Sequence, residues 1–459
     1  MSAPPTSSIG GSAVLSEDPA SARLTLFGLA PDRLRVWGLK SALSLTDQVL
    51  TSGAGFAINL LLARWLPPSS YGAFALAFAA SLFVAGFHNV LVLEPLSVFG
   101  PARHHSNLIA YFRVQIRLHF VLVGILSGVG LIASFVFWFV APEGAMAPAV
   151  AGSAIALPFF LLCWLARRMC YVVRQPSLAT SGSLAYLVAV LFGLLVLRAC
   201  GNVSAFSVFL LIGVTSMFAS AILLWRLQRG RGSGSQVAIP MHSVMKENWS
   251  YGRWLVGSAL LFAVSTQTQT FLAAGILGLS AAGILRAMQI PSLVFAQVIT
   301  ATGLLVLPTF SNDCGKGLME RVQQKAKFVS VSLSGGALCL VWLLAVFHGR
   351  VELLLFGGKY AVYAWLMAVF ALMPVCTGLA TGYSMALRAS QKPYFDLISN
   401  AFAAPVAVVT AFLFMHRWGI AGAVASMVLS CAVLSIVTLV CFRECSVETS
   451  QVNMQVSGD

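Results

Sequence analysis

Long uncharged apolar runs are the feature that most constrains this chain. Runs of about 20 residues, such as Phe120 to Val140, recur along the sequence, and an α-helix of that length, rising about 1.5 Å per residue, crosses a hydrocarbon core of about 30 Å. The strands of a transmembrane barrel would instead alternate in short segments. Because lipid offers backbone groups no water to bond, the spanning segments are predicted to be helices.

Twelve predominantly apolar runs, a few of which contain one charged residue, divide the chain into two sets of six. The first six lie near 41–63, 73–97, 118–140, 146–166, 178–198 and 204–225, and the second six near 254–275, 282–308, 327–348, 362–387, 394–415 and 419–442. The predicted parts are a disordered cytoplasmic tail (1–37), an N-terminal lobe (38–226), a cytoplasmic linker (227–252), a C-terminal lobe (253–442) and a cytoplasmic C-terminal tail (443–459).

The distribution of basic residues predicts the topology. The formal net charge is +14, yet only 9% of residues are charged, where a soluble domain would have about a quarter. With a cytoplasmic N-terminus, twenty-two Lys and Arg face the cytoplasm and Arg286 lies inside a span. Five lie on the other side: Arg64, Arg198, Arg350, Lys359 and Arg417. This split follows the positive-inside rule, so both termini are predicted to be cytoplasmic and the basic loops to meet membrane lipids, not nucleic acid.

The two halves carry a weak internal repeat. A shift of 211 positions aligns one set of residues with another, each set bridging the first two spans of its half. These sets are Ala63, Leu66, Ser69 and Gly72, and Ala274, Leu277, Ser280 and Gly283. Two lobes in the same orientation are typical of a transporter with its substrate site between them. The predicted fold is therefore all-α and integral to the membrane, with about twelve transmembrane helices in two six-helix lobes around a central cavity.

Span 1 has one polar face. Its members lie within roughly 140° of arc at 100° per residue; they are Ser41, Ser44, Asp47, Gln48, Thr51, Ser52 and Asn59. Small hydroxylated residues of this kind also let helices pack closely, which is the alternative interpretation. Asp47 differs, because a carboxylate in a span needs a partner, water or a proton. Asp47 is therefore a candidate functional residue, with solvation at the membrane edge as the alternative.

Spans 7 and 8 also carry polar groups. Residues 265–270, which include Gln267 and Gln269, are six consecutive polar residues, and they indicate either a wet cavity or glutamines that bridge helices. In span 8, Arg286, Gln289 and Gln297 lie within roughly 80° of one another. A guanidinium suits a phosphate or diphosphate. The alternative is that Arg286 extends to the membrane surface.

Other chemistry is not indicated. The nine cysteines are an odd number and lie mostly in or beside spans, so no disulfide framework is predicted. No Cys and His residues occur at metal-ligand spacing, and no phosphate-binding glycine loop is present. Most of the 14 acidic residues lie on tails or loops. The sequence therefore predicts a protein that is not an enzyme and has no cofactor.

Four short stretches resemble a known family. They are Ile58-Asn59-Leu60-Leu61-Leu62-Ala63-Arg64-Trp65-Leu66-Pro67-Pro68-Ser69-Ser70-Tyr71-Gly72, Leu355-Phe356-Gly357-Gly358-Lys359-Tyr360, Leu387-Arg388-Ala389-Ser390-Gln391-Lys392-Pro393 and Gly419-Ile420-Ala421-Gly422-Ala423. They resemble the Wzx-type polysaccharide and O-antigen flippases of the multidrug/oligosaccharidyl-lipid/polysaccharide exporter superfamily. That resemblance implies a transporter of the bacterial inner membrane that flips an undecaprenyl-diphosphate-linked oligosaccharide by alternating access. It also implies coupling to H⁺ or Na⁺, and other polysaccharide assembly proteins as candidate partners.

The resemblance extends to individual residues. The block from Arg286 to Pro291, followed by Leu307-Pro308, is similar to span 8 of the lipid II flippase branch, where the arginine is thought to meet the diphosphate. The other cavity arginines of that branch have no counterpart in spans 1 and 2 apart from Arg64. The candidate substrate-binding residues are Arg286, Gln289, Gln297, Gln267, Gln269 and Arg64. The coupling-ion candidates are Asp47 with Gln48, and Asp396 with Asn400, which lie one turn apart at the start of span 11.

Two alternatives stay open from the sequence. A drug/cation antiporter of the same superfamily would share the twelve spans but calls for intramembrane carboxylates instead of Arg286. An integral-membrane enzyme of polysaccharide assembly would normally show a long extracytoplasmic loop or clustered His and Asp.

Overall fold

The chain is an all-α protein. The structure is a computed structural model that describes residues 31–229, 238–316, 318–390 and 394–456, and all regular structure in these ranges is helical. The N-terminal lobe contains α1 (Pro31–Trp65), α2 (Pro68–Arg103), α3 (Leu108–Val140), α4 (Met146–Val172), α5 (Pro176–Ala199) and α6 (Ala205–Arg229). The C-terminal lobe contains α7 (Met241–Leu277), α8 (Leu279–Gly315), α9 (Met319–Phe356), α10 (Leu366–Ala389), and Tyr394–Val456, which Gly419 divides into α11 (394–418) and α12 (420–456).

The twelve helices agree with the predicted fold class. Ten helices of the described residues are long and apolar enough to cross a membrane. The polar helix α1 is not among these ten, and Tyr394–Glu444 is counted once although it contains most of α11 and α12. Hydropathy alone therefore misses α1, the helix whose polar face the sequence singles out.

Several helices extend beyond the predicted apolar runs. α7 begins at Met241 and α6 continues to Arg229, so both enter the predicted linker 227–252, while α1 begins at Pro31 inside the predicted tail. Apolar runs mark only the part of a helix that lipid surrounds, whereas hydrogen bonding continues the helix into the headgroup region. Residues 1–30, 230–237 and 457–459 of the predicted tails and linker, and 391–393 of one family motif, lie outside the described residues.

A sharp turn at Gly419 folds α12 back along α11. Gly419 has φ 57° and ψ −129°, a backbone conformation that side chains with a Cβ rarely adopt. The two helices then bond to each other through hydroxyls, since Thr410 lies 3.0 Å from Ser426 and Ser399 lies 3.1 Å from Thr438. The order of these pairs shows an antiparallel hairpin, as the predicted spans 11 and 12 require.

The lobes meet at one end of the bundle, where the α1–α2 and α7–α8 hairpins lie. We call this the hairpin end and the opposite end, where α1 begins, the terminal end. A Cβ on Gly72 would lie 1.8 Å from the carbonyl oxygen of Leu279, and a Cβ on Gly283 would lie 2.2 Å from that of Pro68. Gly72 and Gly283 are the aligned pair of the 211-residue repeat, and so are Pro68 and Leu279. The repeat therefore places equivalent helix starts against each other.

The lobes are packed at the hairpin end and accessible farther along. One buried apolar cluster joins both lobes at the hairpin end, and Leu62 of α1 and Leu285 of α8 in it are 0% and 2% exposed. Toward the terminal end, Val49 of α1 and Val294 of α8 are 65% and 51% exposed and line a cavity between the lobes. The structure thus has a closed hairpin end and an accessible central cavity.

Candidate functional site

Two adjoining chambers of the central cavity are lined by described residues. The first, about 410 Å³, is enclosed by α1, α2 and α8, and the second, about 350 Å³, by α1, α2, α4, α5 and α6 with one side chain of α8. Both are mainly apolar with a few polar side chains, as is usual for binding pockets. The residues common to both linings are Gln48, Ser52, Gly55, Phe78 and Gln297.

Arg286 lines the first chamber near the hairpin end. Its Nε donates to Oδ1 of Asn59 at 3.3 Å and its Nη1 donates to Oε1 of Gln289 at 3.2 Å. The hydroxyl of Tyr71 donates to the same Asn59 oxygen at 3.3 Å. Within the described ranges no carboxylate forms an ion pair with Arg286. The guanidinium thus faces the cavity with neutral partners only.

A chain of neutral polar groups crosses the interface between α1 and α8. Nε2 of Gln48 donates to Oγ of Ser52 at 3.4 Å, and that hydroxyl donates to Oε1 of Gln297 at 2.9 Å. Gln48 and Ser52 belong to the predicted polar face of span 1, and Gln297 to the predicted polar group of span 8. In the structure these three side chains lie side by side in the cavity. These bonds link the lobes where the two chambers adjoin.

Asp47 is buried inside the N-terminal lobe instead of being solvated at a membrane edge. It is 1% exposed, and its carboxylate accepts hydrogen bonds from Nη2 of Arg167 at 2.6 Å, the hydroxyl of Tyr171 at 2.5 Å and Oγ of Ser183 at 2.5 Å. The sequence leaves open whether the Asp47 carboxylate has protein partners or is solvated at the membrane edge. In the structure it has protein partners.

The remaining sequence candidates lie away from the two chambers. Gln269 is 1% exposed and Gln267 is half-buried on α7, and neither is among the described side chains that line the chambers. One turn earlier, Oγ of Ser265 lies 3.5 Å from the carbonyl oxygen of Asn400 on α11. Arg64 is exposed at the hairpin end, where its Nη1 donates to the carbonyl oxygen of Leu354 at 3.4 Å.

Asp396 and Asn400 lie at the terminal end of the C-terminal lobe. The Asp396 carboxylate accepts from Oγ of Ser384 at 2.8 Å and from Nε of Arg388 at 2.5 Å. Nδ2 of Asn400 donates to the backbone oxygen of Asp396 at 2.8 Å, and Oδ1 of Asn400 is buried without a hydrogen-bond partner among the described residues. This pair is a separate polar site, not part of the two chambers.

Arg167, one of the twenty-two basic residues predicted to face the cytoplasm, is a cavity residue. It lies near the end of α4 and lines the second chamber with Phe160, Cys163 and Trp164 of the same helix. These positions follow i, i+3, i+4 and i+7, the spacing of one helix face. That periodicity, continued past the last apolar residue of span 4, is the signal that would have identified it.

Lys359, which the sequence places in an outer loop and in one of the family stretches, has a contact that the sequence does not predict. Its Nζ donates to three backbone oxygens at the end of α1, those of Ala63 at 3.0 Å, Arg64 at 2.6 Å and Leu66 at 2.8 Å. The last carbonyls of a helix have no partner within the helix and carry its negative dipole end. A cation from the C-terminal lobe therefore caps a helix of the N-terminal lobe at the closed end.

The chain resembles solved transporters in overall fold. No protein-family model and no curated protein matches the sequence. A lipid II flippase, MurJ, in an inward closed conformation superposes with a TM-score of 0.68 at 10% identity, covering 88% of this chain and 87% of that one. An inward-facing multidrug resistance MATE family transporter of the MOP superfamily gives 0.62 at 14% identity, covering 88% and 94%. A MOP superfamily transporter from Pyrococcus furiosus gives 0.63 at 13%, also covering 88% and 94%. At these identities the likeness is one of fold.

Proposed function

We propose that this protein is an alternating-access transporter that flips a lipid-diphosphate-linked oligosaccharide across the bacterial inner membrane. The charge of the cavity supports an anionic substrate. Arg286 and Arg167 line the two chambers, while no Asp or Glu is among the described side chains that do so. A cation antiporter, the alternative that the sequence leaves open, would need carboxylates in this lining, because a buried cation requires an opposite charge.

Arg286 is the observation that carries the proposal. Among the described residues its guanidinium donates to the neutral oxygens of Asn59 and Gln289 and to no carboxylate, and an arginine stays protonated in proteins. An unpaired charge is costly in an apolar cavity unless water or an anion reaches it. The planar fork of donors matches the oxygens of a phosphate or diphosphate. Gln297, Gln48 and Ser52 then supply neutral donors and acceptors suited to sugar hydroxyls.

The packing of the lobes supports alternating access. The Gly72 and Gly283 contact and the Lys359 cap hold the hairpin end closed while the cavity is accessible farther along. Release of a substrate on the other side requires these contacts to separate and the terminal half to close. The distribution of basic loops supports a cytoplasmic terminal end, so the described state would receive its substrate from the cytoplasm.

Reconstituted liposomes test the proposal directly. A fluorescent undecaprenyl-diphosphate oligosaccharide is incorporated into both leaflets, and quenching by an impermeant reductant reports its movement between them. We expect the wild type to move the lipid and Arg286→Gln to lose most of that rate, since a hydrogen bond to a charged group contributes about 1.5–3 kcal/mol. Arg226→Gln is the matched control, because Arg226 is exposed on α6 and lines neither chamber.

The measured rates distinguish failure of the proposed function from failure of Arg286 as its substrate contact. Absence of movement by the wild type would contradict flipping of this lipid class. Equal rates for the wild type and Arg286→Gln, with movement present in both, would remove Arg286 from the substrate site while leaving the function standing.

We propose that H⁺ or Na⁺ drives transport through one of two carboxylate sites, Asp47 with Gln48 or Asp396 with Asn400. Each carboxylate already holds polar partners, and the unpartnered Oδ1 of Asn400 is a ready ligand for a cation. Imposed proton or sodium gradients across the same liposomes test both sites. Ion dependence that is unchanged in Asp47→Asn excludes the first site, and ion dependence that is unchanged in Asp396→Asn excludes the second.

A further inference from the structure

Arg167 lines the cavity, and its guanidinium makes fewer hydrogen bonds than it could donate. Its side chain is 14% exposed and lines the second chamber. Nη2 donates to Asp47, but Nε is buried and has no hydrogen-bond partner among the described residues. Arginine binds a phosphate best when two adjacent N–H groups donate together. Because its buried Nε has no acceptor among the described residues, the Arg167 guanidinium is incompletely satisfied by its present carboxylate.

Asp47 does not depend on Arg167 for its hydrogen bonds. The hydroxyls of Tyr171 and Ser183, on α4 and α5, donate to its two carboxylate oxygens. Charge-assisted bonds of this kind are among the stronger hydrogen bonds in proteins. Arg167 can consequently turn toward an anion while both Asp47 oxygens keep a donor, which avoids the large cost of a stranded buried charge.

Arg167 and Arg286 lie too far apart to bind one phosphate together. Asp47 contacts Arg167 and Asn59 contacts Arg286, and these twelve positions of α1 correspond to about 18 Å along the helix axis. Hydrogen bonds reach only about 3 Å. The polar side chains of Gln48 and Ser52 lie between them on the same helix, and both line the two chambers.

We propose that Arg167 is a second anion site, which takes the substrate diphosphate at the terminal end, and that Asp47 is the resting counter-ion that the diphosphate displaces. This inference rests on the proposed function, because it names a second contact for the same substrate group. The diphosphate meets Arg167 first and Arg286 farther toward the hairpin end. The Asp47 carboxylate recaptures Arg167 afterwards, which keeps the first site from holding the substrate too tightly to pass it on.

Titration with inorganic pyrophosphate tests the assignment on the full-length protein. The protein is placed in nanodiscs of zwitterionic lipid, so that no anionic headgroup competes, and binding is measured by calorimetry. We expect Asp47→Asn to bind pyrophosphate about tenfold more tightly than the wild type, since Arg167 then has no competing carboxylate. Adding Arg167→Gln to that variant abolishes the gain. Adding Arg167→Lys retains part of it, because a cation remains.

Two further variants make the result specific. Asp313→Asn removes another ion-paired carboxylate, one held by Lys325 at 2.6 Å, but neither partner lines a chamber, so affinity for pyrophosphate stays at the wild-type value. Arg286→Gln binds pyrophosphate more weakly than the wild type does. Adding Asp47→Asn to Arg286→Gln still raises the affinity. Inorganic phosphate stands for a single-phosphate lipid headgroup. Asp47→Asn raises the affinity for inorganic phosphate less than it raises the affinity for pyrophosphate.

Each outcome has a defined meaning. A gain in Asp47→Asn that requires Arg167 supports the second site. No gain, with Arg286-dependent binding still present in the wild type, overturns the role of Arg167 and leaves the proposed function intact. No binding in any variant contradicts both. An equal gain for phosphate and pyrophosphate refutes the preference for a diphosphate.

Discussion

Replacing Gly72 with alanine should force the closed hairpin end apart. The added Cβ would lie 1.8 Å from the carbonyl oxygen of Leu279, and it needs at least 3.0 Å, so α2 and α8 must separate by about 1.2 Å. The neighbouring atom is backbone and cannot rotate away. Overpacking of this kind costs about 1–3 kcal/mol, which shifts a two-state equilibrium by roughly 5- to 150-fold. The helix propensity gained from alanine acts in both states and does not offset that shift.

Hydrogen–deuterium exchange in nanodiscs measures this opening. We expect peptides of the α1–α2 and α7–α8 hairpins to exchange faster in Gly72→Ala than in the wild type, because the lobes separate more often. Gly283→Ala should act in the same way, since its Cβ would lie 2.2 Å from the carbonyl oxygen of Pro68. Gly86→Ala is the matched control on α2, where the new Cβ meets no atom within 4 Å. Hairpin exchange in Gly72→Ala that equals the control would refute the reasoning.

Three other changes have defined outcomes. Lys359→Met removes the cap on α1 and should also speed hairpin exchange; unchanged exchange would show that the cap does not hold the lobes together. Gly419→Ala places a Cβ at φ 57°, which costs about 1–3 kcal/mol, and should lower the melting temperature. Burial alone would raise the pKa of Glu247, but hydrogen bonds from His104 and Arg103 hold it below its ordinary 4.5. Its stabilising effect is therefore present above pH 4.5 and lost as the pH falls below that value, so Glu247→Gln should destabilise the protein at pH 7 and not at strongly acidic pH.

For α1, the sequence predicts which polar side chains share a face but not which partners they contact. Its periodicity places Asp47, Gln48, Ser52 and Asn59 on one side, and in the structure all four project toward helices or chambers inside the protein. The sequence does not indicate which partner each one meets. Asp47 turns to α4 and α5, whereas Asn59 contacts Arg286 of the other lobe.

For the polar stretch of α7, the sequence predicts burial or contact with water but not which helices surround the polar side chains. Six consecutive polar residues predict a buried or wet helix, and Gln269 is indeed buried. Which neighbour buries it depends on how α7 rotates against the helices around it, and periodicity within one helix carries no information about that rotation. Periodicity does place Arg167 on one face of α4 with Phe160 and Trp164, but whether that face borders a cavity depends on how α4 packs against α1.

Apolar runs predicted most of the helices, because a helix in lipid must satisfy its own backbone and cover about 30 Å, and the polar face of the first run marked α1, which hydropathy alone misses. The 211-residue repeat likewise anticipated that corresponding hairpins are equivalent. Only the tertiary structure decided that Gly72 and Gly283 touch, that Lys359 caps α1, and that Arg167 joins Arg286 in a cavity whose described lining contains no carboxylate. These contacts join residues more than a hundred positions apart, so they depend on how the lobes pack and not on any local pattern.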